Sequence, residues 1–318
     1  MKNIYFVIPP QLHMLDITGP AQIFYEAKEY GADLNLHFLS LGTTTEIESS
    51  AGLYFSKLQV FFQSHPQKGD LIFIPGLDYT LLREKNFLEE VKDFLDWLKL
   101  QHKKEVQICS ICTGAFLLAE SGLLNGKSCT THWKYLDDFA HQFPQILIQK
   151  NRLFVENEGI YTSAGMSSGI DLSLYILEQN FGSSLVVELA KEVVIYFRRS
   201  ESDPQLSIFL QYRNHLEKRI HDVQDHLRKE LANAPQLNEL AEVAHTSSRN
   251  LTRLFKKTTG ITLGAYIEKL RVERAVKLLS EGNKVAFVAE KCGLKSENQL
   301  RNLLKKHKGI LPTDLFLS

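Results

Sequence analysis

Shifted by 49 residues, the last third of this chain lies over itself. "SSRNLTRLFKKTTGI" (Ser247–Ile261) covers "SENQLRNLLKKHKGI" (Ser296–Ile310), and seven of the fifteen positions are identical, among them Leu251/Leu300, Lys256/Lys305, Lys257/Lys306 and Gly260/Gly309. An in-register match of that length points to a duplicated supersecondary unit. Each copy reads as two short helices joined by a turn. In the first, Leu237, Leu240, Ala241 and Ala244 supply one apolar face, "HTS" turns the chain, and Ser247 or Ser248 caps the next helix by accepting a backbone N–H bond. In the second, Val285, Val288 and Ala289 lead to Cys292-Gly293, where glycine permits a left-handed helix end. Ser296 and Gln299 then make an S-x-x-Q capping box. Two helix-turn-helix units are thus expected, at about residues 237–258 and 285–307.

The buried stripes, Leu251, Leu254 and Phe255 in one copy and Leu300, Leu303 and Leu304 in the other, leave a defined outer face. The first copy presents Ser248, Arg249, Asn250, Thr252 and Arg253 there; the second presents Glu297, Asn298, Gln299 and Arg301. Such groups near a helix N-terminus suit the major groove of double-stranded DNA: Arg reads guanine, and Asn or Gln reads adenine, through paired hydrogen bonds. Lys256, Lys257, Lys305 and Lys306 lie a turn later, placed for phosphates. A solvated helical bundle with a basic rim explains one such face; two in register fit it poorly. Charge agrees. The chain has 37 Lys and Arg against 37 Asp and Glu, but from His215 onward the count is 19 to 12, so the C-terminal part is basic and the rest acidic.

The first 195 or so residues follow another pattern. Short apolar runs, "IYFVIP", "LNLHFLSLG", "DLIFIPG" and "VQICSIC", alternate with helical segments such as "FLEEVKDFLDWLKLQHKK". This order predicts an α/β doubly wound, flavodoxin-like domain with buried parallel strands. "SGIDLSLYILEQNFGSSLVVELAKEVVIYF" predicts a long helix interrupted near Gly182. The polar stretch "RRSESDPQLS" follows, so the domains are expected at 1–197 and 213–318, with 198–212 as linker. No run of eighteen apolar residues occurs, so no membrane span is expected, and the apolar core of the N-terminus is too short for a signal peptide. Four cysteines give no disulfide framework and suit a reducing cytoplasm. Cys109 and Cys112 form a CxxC, but Cys109 falls inside a predicted strand and no second Cys/His pair stands at metal-site spacing. Neither a metal nor a cofactor is expected.

From about residue 215 to the end, "LAEVAHTSSRNLTRLFKKTTGITLGAYIEKLRVERAVKLL" and "VAFVAEKCGLKSENQLRNLLKKHKGILPTDLF" resemble the DNA-binding domain of AraC/XylS transcription regulators. The resemblance implies a long helix at about Leu263–Ser280 joining two units that enter major-groove faces about 34 Å apart. His245 stands where that family commonly has glycine, and Leu300 and Leu304 stand where aromatics are usual.

"ICTGAFLLAESGLLNGKSCTTHW", "LDITGPAQIF", "IFIPGL" and "YTSAGMSSGIDLSLYIL" resemble the ThiJ/PfpI group of class I glutamine-amidotransferase-like domains. Joined to an AraC/XylS tail, such a domain makes the GlxA-type regulator architecture. A strand bending sharply into a helix exposes the side chain at the bend, and Cys112 would sit there, its thiolate favoured by the helix dipole. The Thr113 N–H and one near Gly76 could hold an oxyanion. Asp16 matches the acidic residue that contacts the cysteine in that family. His132 is the candidate base or pocket wall. The resemblance implies a pocket for a small-molecule effector, nitrogen-containing by analogy, in a homodimeric activator. The rival expectation is a cysteine-dependent hydrolase, or an isonitrile-hydratase-like enzyme using a Cys, Asp and Thr set like Cys112, Asp16 and Thr113.

Overall fold

The structure is a computed structural model describing residues 2–150, 152–195, 199–201 and 205–315; the side chains of Phe209, Leu210 and Leu315 are not described. The chain divides into two compact units, with the change falling between Gln205 and Leu206.

The first unit is built on seven strands: β1 (Lys2–Ile8), β2 (Leu34–Ser40), β3 (Gln59–Val60), β4 (Leu71–Ile74), β5 (Gln107–Ile111), β6 (Phe154–Asn157) and β7 (Ile160–Ser163). Their order is β6-β7-β5-β4-β1-β2-β3, parallel throughout except for the β6–β7 pair. Helices cover both faces. α1 (Met14–Glu29) lies on one face with α4 (Ser168–Phe181) and α5 (Ser183–Glu192); α2 (Lys92–Lys103) and α3 (Gly114–Glu120) lie on the other. Every residue of β4 is therefore buried, which is why the central strands read as unbroken apolar runs. The segment predicted as one helix before β5 is two, Lys85–Glu90 and α2, broken at Val91. The interruption at Gly182 is a full break between α4 and α5, where φ is +87°.

The expected linker is only partly free chain. Arg199 donates three hydrogen bonds to Asp171 of α4, the Leu153 N–H bonds to Glu201, and Gln205 bonds to Thr130 and Thr131. Those residues belong to the α/β unit, whereas a short helix at Ile208–Gln211 belongs to the second. Phe197 and Arg198, at the expected end of the domain, and 202–204 of the linker lie outside the described residues.

The second unit is helical: α6 (Lys218–Glu230), α7 (Leu237–Val243), α8 (Ser248–Thr259), α9 (Leu263–Ser280), α10 (Val285–Lys291) and α11 (Glu297–Lys308). It holds two cores rather than one. Leu263, Tyr266 and Leu270, from the first half of α9, pack with α6, α7 and α8; Val272, Ala275 and Leu279, from the second half, pack with α10 and α11. Ser247 caps α8 by accepting from the Asn250 N–H, and Ser296 caps α11 by accepting from the Gln299 N–H. The predicted box around Ser296 is shifted by one: the Gln299 side chain accepts from the Lys295 N–H instead. Among the described residues no helix is long and apolar enough to cross a membrane.

The two turns differ by one residue. α7 and α10 start 48 residues apart, α8 and α11 start 49 apart. Both turns place one residue in the left-handed region, His245 (φ +47°) and Gly293 (φ +67°), each donating its N–H three residues back. His245 is exposed, but a Cβ on Gly293 would stand 2.3 Å from the Leu231 carbonyl oxygen. Gly293→Ala is expected to destabilise the helical unit by more than about 2 kcal/mol, from φ strain and overpacking together. His245→Gly, in the same backbone conformation without the clash, is expected to stabilise it by up to about 1 kcal/mol. Thermal melts of the two variants check both, and an unshifted melt for Gly293→Ala would contradict the packing described.

Candidate functional site

Cys112 directly follows β5 and has φ +56°, a left-handed conformation that costs a non-glycine residue about 1 kcal/mol or more. The bend is held from two sides: the Cys112 N–H donates to the Ser163 carbonyl at 3.0 Å, and the Thr131 hydroxyl donates to the Cys112 carbonyl at 2.8 Å. Space around it is minimal. A Cβ on Gly76 would stand 2.5 Å from Asp16 Oδ2 and 2.8 Å from the Cys112 Cβ, and one on Gly114 would stand 2.5 Å from the Ile74 carbonyl oxygen. Both glycines are needed for the strand ends and the elbow to meet.

Asp16 reaches this point because the loop after β1 is zipped to the loop after β4. Leu12 bridges Leu77, and the His13 N–H donates to the Gly76 carbonyl at 2.8 Å. α1 then begins at Met14, carrying Asp16 in its first turn, fully buried. Its Oδ2 accepts from the Gly76 N–H at 2.8 Å, while its Oδ1 has no hydrogen-bond partner. The Thr113 hydroxyl is consumed by the Leu77 backbone, accepting from its N–H and donating to its carbonyl. His13, which sequence reasoning missed, faces the elbow: its Nδ1 lies 4.0 Å from both Cys112 Sγ and Asp16 Oδ2.

Two expectations are corrected here, and of the two roles open to His132 the hydrogen-bonded structural one is the one its contacts fit. Burial, reinforced by the Asp16 charge, pushes the Cys112 thiol up and outweighs the Thr113 and Met166 N–H groups, so the thiol and not the thiolate is the resting form. The Gly76 N–H is spent on Asp16 and is not free for an oxyanion. His132 caps a 3-10 turn, accepting from the Lys134 N–H, and has no hydrogen bond to the cysteine; the nearer imidazole is His13. The two imidazoles are close enough for His13 to depress His132, after the larger effect of burial. Burial likewise holds His13 below its ordinary value, against the pull of Asp78. Cys109 is fully buried in β5, and all four cysteines are free thiols.

On the second unit, Arg249, Asn250, Thr252, Arg253, Lys256 and Lys257 are all exposed along α8, with Ser248 half-buried and donating to Asn238. Shallow grooves flank the helix, one lined by Arg249, Thr252 and Lys256, the other by Arg219, Thr246, Arg253 and Lys257. Asn298, Gln299, Arg301, Lys305 and Lys306 are exposed along α11, and Glu297 is half-buried. The two faces are unequal. Arg301 is folded back on Glu297 at 2.7 Å and Asn298 at 3.0 Å, and Lys306 is tied to Glu268 at 2.7 Å. α8 itself carries no acidic residue.

Burial dominates Asp16 too, pushing its carboxyl up to about 7 despite the Gly76 N–H and the contact with Cys112. The folded value lies above the unfolded one, so between pH 4 and 7 the folded state holds the extra proton and stability falls as pH rises. Asp16→Asn, which carries no charge to bury, is expected to melt above the wild type at pH 8 and level with it at pH 5. A melting difference that does not change with pH would show that Asp16 does not titrate in this range.

Residues 2–179 match the DJ-1/PfpI family, and residues 240–317 match a helix-turn-helix domain. The HTH-type transcriptional regulator CdhR of Pseudomonas aeruginosa is 30% identical over 93% of this chain and 85% of its own length. The HTH-type transcriptional regulator GbdR of Pseudomonas aeruginosa is 28% identical over 70% of this chain, and the match spans 61% of GbdR, less than two thirds. The isonitrile hydratase of Pseudomonas putida is 31% identical over 57% of this chain and 72% of its own length. The chain belongs to the DJ-1/PfpI family, in the group whose α/β domain is followed by an AraC-type helix-turn-helix domain.

Proposed function

We propose that this protein is a sequence-specific, DNA-binding transcription regulator of the cytoplasm, an activator working as a homodimer, whose α/β unit binds a small-molecule effector around Cys112, Asp16, Thr113, Gly76, His132 and His13. The observation that carries the reading is the outer face of α8, where Arg249, Asn250, Arg253, Lys256 and Lys257 stand exposed on a helix with a serine cap and no acid of its own. Arg and Asn at its N-terminal end suit base edges, and the lysines a turn later suit phosphates. α11 is the second reader. Glu297, Asn298 and Gln299 suit base edges there, while Arg301 must first leave Glu297 and Lys306 must leave Glu268 before either meets DNA.

The enzyme reading has one support, the likeness of the α/β unit to an isonitrile hydratase. Against it stand the protonated, buried thiol and the engaged Gly76 N–H. The same features, a buried thiol and carboxyl on a strained elbow, suit binding without turnover better than catalysis.

Arg253→Ala is expected to weaken promoter binding by about 1–3 kcal/mol, the worth of a good base contact. Lys257→Ala is expected to lower the salt slope of binding by about one. Arg301→Ala is expected to cost clearly less than Arg253→Ala. Fluorescence anisotropy on a footprinted site across a salt series measures all three. Unchanged affinity in Arg253→Ala would remove α8 from the interface, and an Arg301→Ala loss as large would make the two readers equals.

A further inference from the structure

We propose that His13, Asp16 and Cys112 form a three-ligand site for a zinc-class cation, with the fourth coordination position open to a small ligand. The inference rests on reading this region as the effector site and names the chemistry it takes. One atom from each side chain, an imidazole nitrogen, a carboxylate oxygen and a thiol sulfur, lies within 4.8 Å of the other two. His13 Nδ1 is 4.0 Å from both its neighbours. Around tetrahedral zinc, bonds of about 2.0–2.3 Å put ligand atoms roughly 3.3–3.7 Å apart, so the two 4.0 Å pairs made by His13 have to shorten by a few tenths of an ångström and the Cys112–Asp16 pair, within 4.8 Å, by up to about 1 Å. His13 is the member free to move. It stands at the end of a loop, caps no backbone group with its side chain, and is about one quarter exposed (27%).

Two further observations point to a cation. Asp16 Oδ1 is fully buried and has no partner, which leaves a strong acceptor unspent. Asp16 Oδ2 accepts from the Gly76 N–H, the kind of outer bond that orients a metal-ligating carboxylate. The charges that act most strongly on the three groups are acidic: Asp78 on His13 and Asp16 on Cys112. A divalent cation would offset them where no lysine or arginine does. Sulfur with imidazole selects zinc-like ions over magnesium or calcium, which take oxygen ligands. On binding, the Cys112 S–H bond breaks, its proton leaves to solvent, and the sulfur's electron pair bonds the metal. Three protein ligands with one open position is the arrangement of zinc sites that exchange ligands.

The test uses the full-length protein after chelator treatment. Zn²⁺ is titrated in competition with a chromophoric chelator, and Co²⁺ serves as a spectroscopic probe. The expected result is one equivalent bound and a near-ultraviolet thiolate-to-cobalt charge-transfer band. That band should vanish in Cys112→Ser and persist in Cys292→Ala. His13→Ala should weaken zinc more than about 10-fold, the least that losing even an outer partner costs. No saturable equivalent in the wild type, or equal affinity in all variants, overturns the site. DNA binding is measured on the same samples: protein that takes up no saturable metal but binds DNA normally leaves the regulator reading standing while the site falls, and metal-binding protein that ignores DNA does the reverse.

Discussion

Everything in the α/β unit that has chemical interest depends on one close approach. The carboxyl ends of β1, β4 and β5 meet so tightly at Cys112 that neither Gly76 nor Gly114 has room for a Cβ. The approach fixes the elbow in its left-handed conformation and excludes water from the thiol and the Asp16 carboxyl. It also sets both of their protonation states. Two backbone N–H groups act on the sulfur in the opposite direction and are outweighed by the desolvation of a nearly enclosed thiolate. Burial at this elbow thus opposes the thiolate that a reactive cysteine needs.

The helical unit depends on a different device. α9 is a single helix whose two halves belong to two separate cores, so it sets the spacing of the two helix-turn-helix units, whose halves also meet where Gly293 lies against Leu231. Duplication explains the shared plan, but the copies have drifted in ways that matter. The first turn tolerates His245 because it is exposed; the second requires Gly293 because its Cα lies against the end of α6. The first reader keeps its cations free, while the second has acquired Glu297 and a neighbour in Glu268 that hold two of them. An exposed ion pair is worth under about 1 kcal/mol, so the second reader is restrained rather than blocked.

Much of this was legible in the sequence, and the failures have physical causes. Central strands read clearly because a sheet covered on both faces demands continuous apolar runs. The helix at Leu263–Ser280 came from the resemblance to AraC/XylS domains, and its apolar residues serve a different core in each half. The repeat was found at 49 residues because identity concentrates in α8 and α11; the extra residue, Lys295, sits in the turn, where only the left-handed φ is constrained. His13 was missed because nothing local marks it. It lies 99 residues from Cys112 and arrives there through backbone bonds, His13 to Gly76 and Leu12 to Leu77, that leave no side-chain signature. His132 follows a predicted strand and reads as either a base or a structural histidine; its ring accepts a hydrogen bond from its own turn.

A regulator and an enzyme ask different things of the same scaffold. Turnover at Cys112 would need a thiolate, a free donor for developing negative charge and a base in contact with the sulfur. Burial opposes the first and Asp16 takes the second, which leaves only the third, His13 Nδ1 at 4.0 Å, within reach of the sulfur. Sensing needs only that a ligand bind one state of the protein better than another. On the reading proposed above, an enclosed carboxyl whose charged form burial disfavours, with one oxygen left without a partner among the described residues, would supply that difference. Any ligand that brings positive charge or a donor to Asp16 removes a standing cost of the folded unit, and the gain is available only while the elbow holds its present shape. Binding energy at the site is thus coupled to the backbone geometry around Gly76 and Gly114, the feature that a change of state would have to alter.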